Sequence, residues 1–344
     1  MKKLLLTALL FVGTIGLKAE ETAQKEGTPL KEVVNTLKER ITLQGYIQVG
    51  YSYDDRSEKN NSFNVNRAIL MARGQITDRW SCYFMYSFAG TGKILEAYTE
   101  YQFLPGLTAR LGQFKTQYSL ENPLSPTVTE LIDCYSQAVS YLIGNNNPLS
   151  QKHGGRDIGL LIYGNLFHKF ATYNLAIMNG QGLNQKDANN QKDIVGSLYI
   201  HPVKGLTIGG SFIQGKGNAA NLSGYNPSIQ AGENFTRNRW AVSASFKSKP
   251  IDIRSEYLAG KDGQVKIDGY YCTANLHLLP KFDFIASYDY INRNKYLSDK
   301  QSNYVAGIQY WFYPKCRLQA QYTYRNPKSG DNSNLFQAQI QVRF

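Results

Sequence analysis

Apolar and polar residues alternate strictly along the last eleven residues of the chain, NLFQAQIQVRF (334–344). Successive side chains of a β-strand point to opposite faces, so this segment is predicted to be a strand with one apolar and one polar wall. The apolar wall consists of Phe336, Ala338, Ile340, Val342 and Phe344, and the polar wall of Gln337, Gln339, Gln341 and Arg343.

The same alternation recurs along the chain in ITLQGYIQVGYSY (41–53), WSCYFMYSF (80–88), FDFIASYDY (282–290) and RLQAQYTYR (317–325). Seven short turns, such as Thr77-Asp78, alternate with eight longer polar connections, so the pattern predicts sixteen antiparallel strands. Short turns at one end and long loops at the other are typical of an outer-membrane β-barrel.

The alternative is a secreted soluble β protein, in which the apolar walls would pack against each other inside a sandwich. Aromatic residues at both ends of many strands favour the barrel, as do the 25 tyrosines and 30 glycines. In a membrane every backbone polar group must be paired, so the sheet has to close. We therefore expect an all-β fold, a sixteen-stranded antiparallel transmembrane β-barrel over residues 41–344. Its C-terminal Phe344 is expected to be the signal for the barrel-insertion machinery.

The first residues indicate export. Lys2 and Lys3 precede the apolar run LLLTALLFVGTIGL (4–17), followed by Lys18 and Ala19, which is typical of a secretory signal peptide over residues 1–19. A membrane-spanning helix is the alternative, but it requires about 20 apolar residues. Residues 20–40 are interpreted as a periplasmic N-terminal segment. The expected location is the outer membrane of a Gram-negative bacterium, with outer-membrane lipid around the barrel.

The segment LTARLGQFKTQYSLENPLSPTVTELIDCYSQAVSYLIG (107–144) resembles the signature of the phosphate-selective porin O and P family. NVNRAILMARGQI (64–76), GRDIGLLIYG (155–164) and LAIMNGQG (175–182) are further similarities. The segment DCYSQAV (133–139) lacks the Glu-Arg pair that many relatives place there. The resemblance implies a sixteen-stranded channel, commonly a homotrimer, with an anion or phosphate preference in founding members. In such porins the third long loop narrows the lumen, so residues 115–155 are the expected constriction loop.

Charged pores select ions by repelling those of like charge, and arginine or lysine linings favour anions. The strand register places Arg317, Arg325 and Arg343 on the polar wall, among other charged residues. The candidate anion-binding or pore-lining residues are Arg67, Arg73, Arg110, Lys115, Lys152, Arg156, Arg237, Arg239 and Arg254. The first six are expected to form the narrowest part. The alternative is that these arginines only form ion pairs with Glu96, Glu100, Asp252 and Glu256.

Motifs that could indicate an enzyme are incomplete. GTGK (90–93) lacks the glycine and the hydroxyl residue of a P-loop, and KHGGRD (152–157) is interpreted as a turn. The four histidines have no spacing that suggests a catalytic triad. No enzyme activity, catalytic residue, cofactor or metal site is therefore expected. The formal charge of +12 could attract nucleic acid, but export argues against nucleic acid as a partner and favours small anions.

The predicted function is that of an outer-membrane porin. It would allow passive diffusion of small hydrophilic solutes, anionic or polar, with a leaning to anions such as phosphate. Two alternatives remain open: a substrate-specific sugar channel and a non-conducting surface β-barrel protein.

Overall fold

Sixteen antiparallel strands form a closed barrel in the computed structural model, which describes residues 39–150 and 154–344. The strands are β1 (Ile41–Asp54), β2 (Asn61–Thr77), β3 (Trp80–Ser87), β4 (Lys93–Leu104), β5 (Leu107–Lys115), β6 (Arg156–Leu166), β7 (Ala171–Met178), β8 (Asp193–Ile200), β9 (Leu206–Asn218), β10 (Asn234–Lys247), β11 (Ile251–Asp262), β12 (Val265–Leu279), β13 (Phe282–Asn294), β14 (Asp299–Tyr313), β15 (Cys316–Pro327) and β16 (Ser333–Arg343). The proposed signal peptide (1–19), residues 20–38 and Lys152 lie outside the described residues.

The barrel closes where the first strand pairs with the last. β1 and β16 run antiparallel from Tyr46 opposite Arg343 to Asp54 opposite Leu335. Each remaining strand lies beside its neighbours in sequence, so the sheet has no free edge. The predicted sixteen-stranded antiparallel barrel is confirmed.

Connections at the two ends of the barrel differ in length. Seven turns of two to five residues join β2 to β3 and each later even-numbered strand to the next, and we call this the short-turn end. Four of the eight connections at the opposite, long-loop end are longer, with 6, 14, 15 and 40 residues. The prediction of a long loop at 260–265 is wrong, because β11 continues to Asp262 and β12 begins at Val265, which leaves a two-residue turn.

The outer face of the barrel carries the predicted apolar wall. On β16, Phe336 is 41% exposed and Val342 47%, whereas Gln339 and Gln341 are buried at 3% and 0%. The same alternation holds in β13 and β15. Within the described residues, no helix is both long and apolar enough to cross a membrane.

The inner face differs from the expected polar wall. Apolar side chains of β6 to β13 also point inward, and they are as buried as the core of a soluble protein. We call this set the apolar patch, which consists of Leu161, Met178, Val195, Ile213, Leu258, Ile267 and Ile291. Alternation alone could not reveal it, because these strands are apolar at many positions on both faces.

A 40-residue segment, 116–155, connects β5 to β6, and its described residues contain one short helix, α1 (Gln137–Leu142). The side chain of Ser136 accepts a hydrogen bond from the amide of Val139 and caps the helix. The ends of the segment are joined, because the amide of Thr116 donates to the carbonyl of Gly155 at 2.9 Å. A side chain on Gly155 would overlap Asn122, and its φ is +66°, so glycine is required there.

Candidate functional site

The segment 116–155 is bonded to inward-facing side chains from several strands. One part of it, Pro126–Ile132, contacts a row of inward-facing glutamines that we call the glutamine wall: Gln48 of β1, Gln319 and Gln321 of β15, and Gln341 of β16. Gln48 donates to the carbonyl of Pro126 at 3.2 Å, and Gln341 donates to that of Thr127 at 3.3 Å. Gln341 of the terminal strand therefore binds backbone rather than facing free solvent.

Gln321 makes two bonds to this part of the segment. Its amide nitrogen donates to the carbonyl of Glu130 at 2.6 Å, and its oxygen accepts from the amide of Ile132 at 2.8 Å. Gln319 donates to the same Glu130 carbonyl at 3.2 Å. These side chains satisfy backbone groups that have no partner in regular secondary structure.

Four cations occupy the same side of the barrel without an acidic partner. We call Arg67, Lys115, Arg317 and Arg343 the basic arc. Within the described part of the chain, none of the four has a carboxylate oxygen within 4.0 Å. Each is bonded to neutral acceptors instead, so hydrogen bonding satisfies these groups without cancelling their charge.

Arg317, which is 1% exposed, donates to the carbonyls of Thr129 at 2.9 Å and Pro126 at 3.1 Å. Arg67 donates to Gln48 at 2.8 Å and to the carbonyl of Ile132 at 3.4 Å.

The two remaining members bind the segment at other points. Arg343 donates to the hydroxyl of Thr127 at 2.9 Å. Lys115, which is 7% exposed, donates to the carbonyl of Asn122 at 2.9 Å and to that of Leu124. The basic arc therefore contacts the segment from Asn122 to Ile132.

A buried carboxylate anchors the segment on the opposite side of the lumen. Glu256 of β11 is 2% exposed and accepts from the amide of Leu120 at 2.9 Å and from the hydroxyl of Ser119 at 2.6 Å. The hydroxyls of Ser243 and Tyr271 donate to it as well, both at 2.6 Å. These donors hold the carboxylate and the segment together at one point of the wall.

The helix is held differently, by apolar contact. Val139 and Leu142 of α1 are 0% and 2% exposed, and they pack in one cluster with Leu258, Ile267 and Ile291 of the apolar patch. Fully burying such a side chain is worth about 1.5–3 kcal/mol. The helix is therefore part of a small hydrophobic core inside the barrel.

Two carboxylates of the segment share Arg254 of β11. Glu130 lies 2.6 Å from the guanidinium and Glu121 lies 3.4 Å from it. Burial raises the pKa of Glu121 to about 7, although Arg254 opposes the effect. Burial acts in the same direction on Glu130, but the closer contact with Arg254 outweighs it and the pKa lies below its usual value.

Most predicted site arginines form ion pairs. Arg73 and Arg110 share Glu100, at 2.9 and 2.8 Å, and the ring of Tyr98 lies 4.0 Å from the Arg110 guanidinium carbon. Two cations for one carboxylate leave this group with excess positive charge. Its side chains come from β2, β4 and β5.

Apart from Arg67, each of the other predicted arginines has at least one carboxylate partner of its own. Arg156 contacts Glu96 at 3.0 Å, Arg239 contacts Asp262 at 2.6 Å, and Arg237 contacts Asp193. Arg254 has the two partners Glu121 and Glu130. The expected partners Glu96 and Glu100 are present, but Glu256 binds backbone amides and hydroxyls, and Asp252 lies 3.5 Å from His277.

Sequence reasoning placed Arg317 and Arg343 on the inner wall but did not include them among the site residues. It also missed Glu121, Glu130 and Gln48. Their roles depend on where the segment 116–155 lies, and no local pattern encodes that. The only available signal was the unusual density of glutamine on β15 and β16.

The family resemblance seen in the sequence is confirmed: residues 40–153 match the model of the family described as phosphate-selective porin O and P. The match covers β1 to β5 and nearly all of the segment that follows. No curated protein matches the sequence significantly. The family match supports an outer-membrane channel and points away from an enzyme.

Solved structures with the same fold are outer-membrane proteins. The anion-selective porin from Comamonas acidovorans superposes with a TM-score of 0.67 at 14% identity, over 88% of this chain and 99% of that one. OmpT of Vibrio cholerae, in its trimer form, gives 0.66 at 11%, over 88% and 99%. The channel DcaP of Acinetobacter baumannii gives 0.63 at 12%, over 88% and 97%. At such identities the likeness establishes the fold alone.

Proposed function

We propose that this chain, part of which matches the phosphate-selective porin O and P model, is an outer-membrane porin with a leaning to anions. Small hydrophilic solutes would diffuse passively along the barrel axis, through a lumen narrowed by the segment 116–155. The observation that carries the proposal is the basic arc: four inward cations that are hydrogen bonded but not neutralised.

The electrostatic argument concerns net charge along the path. Ion pairs such as Arg239–Asp262 act at a distance as dipoles, whereas the guanidinium groups of Arg67, Arg317 and Arg343 act as full charges. Arg73 and Arg110 with their shared Glu100 add one more positive charge. Inside a narrow lumen such charges lower the energy of anions and raise that of cations.

A dedicated phosphate site is supported less well. Arginine binds phosphate through paired N–H donors, and a tight site presents several free guanidinium groups. Arg317 and Arg67 already direct donors at carbonyl oxygens. We therefore favour a general anion preference, in which phosphate is one solute among several, over selectivity for phosphate.

The proposal extends to assembly and surroundings. The exposed apolar outer face suits outer-membrane lipid, and Phe344, 70% exposed at the end of β16, suits recognition by the insertion machinery. A homotrimer agrees with the family and with the trimer form of the OmpT neighbour. Export would depend on the proposed signal peptide at residues 1–19.

The test is the reversal potential of the refolded protein in a planar bilayer under a KCl gradient. We expect stepwise conductance with a reversal potential on the anion side. Arg67→Gln should shift it toward zero. Lys328→Gln, which removes the same charge from an exposed position after β15, is the matched control and should shift it much less.

Three results would contradict the proposal. A cation-side reversal potential would refute the anion leaning, and equal shifts for both variants would refute the role of the basic arc. Absence of conductance from correctly folded protein would favour a non-conducting surface barrel.

A further inference from the structure

A polar cavity of about 440 Å³ lies inside the barrel toward the long-loop end, between the segment 116–155 and strands β13 to β16. This volume is in the range of small-molecule sites. Amide side chains dominate its lining, among them Gln137, Asn145, Asn146, Gln301 and Asn303, with hydroxyls from Ser140 and Thr323. The basic arc contributes no residue to it.

Two buried acceptor atoms in this lining lack donors. Asp289 is 3% exposed, and its Oδ1 accepts no hydrogen bond from the described residues. The same holds for Oε1 of Gln137. The nitrogen of Gln137 donates to the carbonyls of Asp289 and Gln301, at 3.2 and 3.1 Å, which fixes the orientation of the amide. Both side chains line the cavity, and a buried acceptor without a donor is costly.

The cations that line the cavity are already paired. Arg325 contacts Asp54 at 2.9 Å, and Arg56 contacts the same carboxylate at 3.4 Å. Arg293 contacts Asp299 at 3.5 Å. These guanidinium groups are therefore less available to an incoming anion.

Two further carboxylates, of Asp133 and Asp289, line the cavity. Together with Asp54 and Asp299 they make four aspartates against three arginines. Unlike the basic arc, the cavity therefore has no excess of positive charge.

We propose that this cavity binds a neutral polyhydroxylated solute of the mono- or disaccharide class. Sugar hydroxyls are both donors and acceptors, as are amide side chains, so vicinal hydroxyls can pair with the lining throughout. Their O–H groups supply the donors that Asp289 and Gln137 lack. Inorganic anions bring acceptors to a place that already has unpaired ones, and two carboxylates repel them.

The proposal goes beyond an anion-leaning pore. The two regions would handle different solutes: the amide cavity retains sugars near the long-loop end, and the basic arc acts on small anions along the lumen. Binding at the cavity does not depend on ion selectivity.

The test is saturation-transfer NMR with maltose and the full folded chain, in a detergent without a sugar headgroup. We expect saturable transfer to the maltose ring protons. Asp289→Asn replaces one oxygen of this side chain by an NH2 donor and should weaken binding up to about tenfold, as loss of a hydrogen bond does. Sodium phosphate should not compete.

Asp283→Asn is the matched control. Asp283 lies on the same strand and the same inner face, but outside the cavity, where it accepts from Gln309 and Trp311 at 2.6 and 2.7 Å. Its substitution should leave maltose binding unchanged. Unsaturable transfer, equal affinity for the wild type and Asp289→Asn, equal weakening by both variants, or displacement of maltose by phosphate would each overturn the proposal. Glucose and ethanolamine serve as competitors of maltose. Displacement of maltose by ethanolamine at a lower concentration than by glucose would also overturn the proposal, because it would show that the site binds a cation.

Discussion

Two parts of the segment 116–155 are held in the barrel by different physical means. The stretch Pro126–Ile132 is fixed by hydrogen bonds from the glutamine wall and the basic arc. Helix α1 is fixed by burial against the apolar patch. The first region keeps charge in the lumen, and the second contributes none.

The difference matters for function. A hydrogen bond contributes about 0.5–1.5 kcal/mol to the net free energy of folding, because its groups would otherwise bond water. Apolar burial is worth about 1.5–3 kcal/mol for each large side chain. Since the helix is anchored without charge, the cations near Pro126–Ile132 need not be neutralised to keep the segment in place. Under the proposed function, these cations act on solutes in the lumen.

The largest effect is expected from weakening the helix anchor. Leu258→Ala should cost about 2–5 kcal/mol of local packing, because it leaves a cavity under α1. Exchange of the Ile143 amide, which donates to Val139 at 2.9 Å, should become about 30-fold faster or more. Hydrogen exchange measures this directly. Leu160→Ala removes an outward side chain, 42% exposed, and should have no such effect.

A smaller effect should follow loss of the buried carboxylate. Glu256→Gln weakens charge-assisted bonds to Ser119 and Leu120 and should cost about 1.5–3 kcal/mol locally. Amide exchange should quicken at Leu120 and change little in α1. Equal acceleration at Leu120 and in α1 would contradict the inference that these two parts of the segment are anchored separately. Glu233→Gln, at an exposed loop position, is the control.

The hydrogen-bonded region should respond to a single glutamine. Gln321→Leu keeps the size of the side chain but leaves the Ile132 amide without its acceptor, at a cost of about 1–3 kcal/mol. Faster exchange of the Ile132 amide, with α1 unaffected, is the expected result. Gln102→Leu, on an exposed part of β4, is the control and should leave exchange of the Ile132 amide unchanged. Unchanged exchange in Gln321→Leu would show that the glutamine wall does not hold the segment.

The smallest effect concerns pH. The pKa of Glu121 is about 7 in the folded chain, whereas the usual value is 4.5. The folded state therefore favours the protonated side chain, and the structure around Glu121 should become less stable as pH rises between these two values. Glu130 acts oppositely, because its pKa is lowered: its contribution is present above the usual value and lost as pH falls through the lowered one. Relative to the intrinsic rate of each amide at the same pH, exchange near Glu121 should therefore be slowest in mildly acidic solution. Glu121→Gln should remove the loss of protection toward neutral pH, and an unaltered profile of this ratio would contradict the role of Glu121.

The fold was predictable because alternation is a local signal. The strict pattern in Phe336–Phe344 specifies which face of β16 meets lipid, and it was correct there. Leu258 and Ile267 escaped prediction, since an apolar residue facing inward is recognisable only when the covering helix is known. Turn 263–264 was missed because β11 and β12 carry polar residues to their ends.

The site was less predictable, because its contacts join distant parts of the chain. Arg237 lies opposite Asp262 in the strand register, yet it contacts Asp193, two strands away, while Asp262 contacts Arg239. Lys115 was expected to face a solute and instead binds carbonyls of Asn122 and Leu124. Strand spacing shows which face a residue occupies, but not which partner it meets.

The central claim is that the segment 116–155 narrows the lumen, and that the narrow part lies next to the basic arc. The most direct test compares single-channel conductance and reversal potential for the wild type and the double variant Leu258→Ala, Glu256→Gln. Release of the helix and of the Ser119–Leu120 stretch should raise conductance and move the reversal potential toward zero. Unchanged values for both, in a variant whose exchange data show a released segment, would contradict the account.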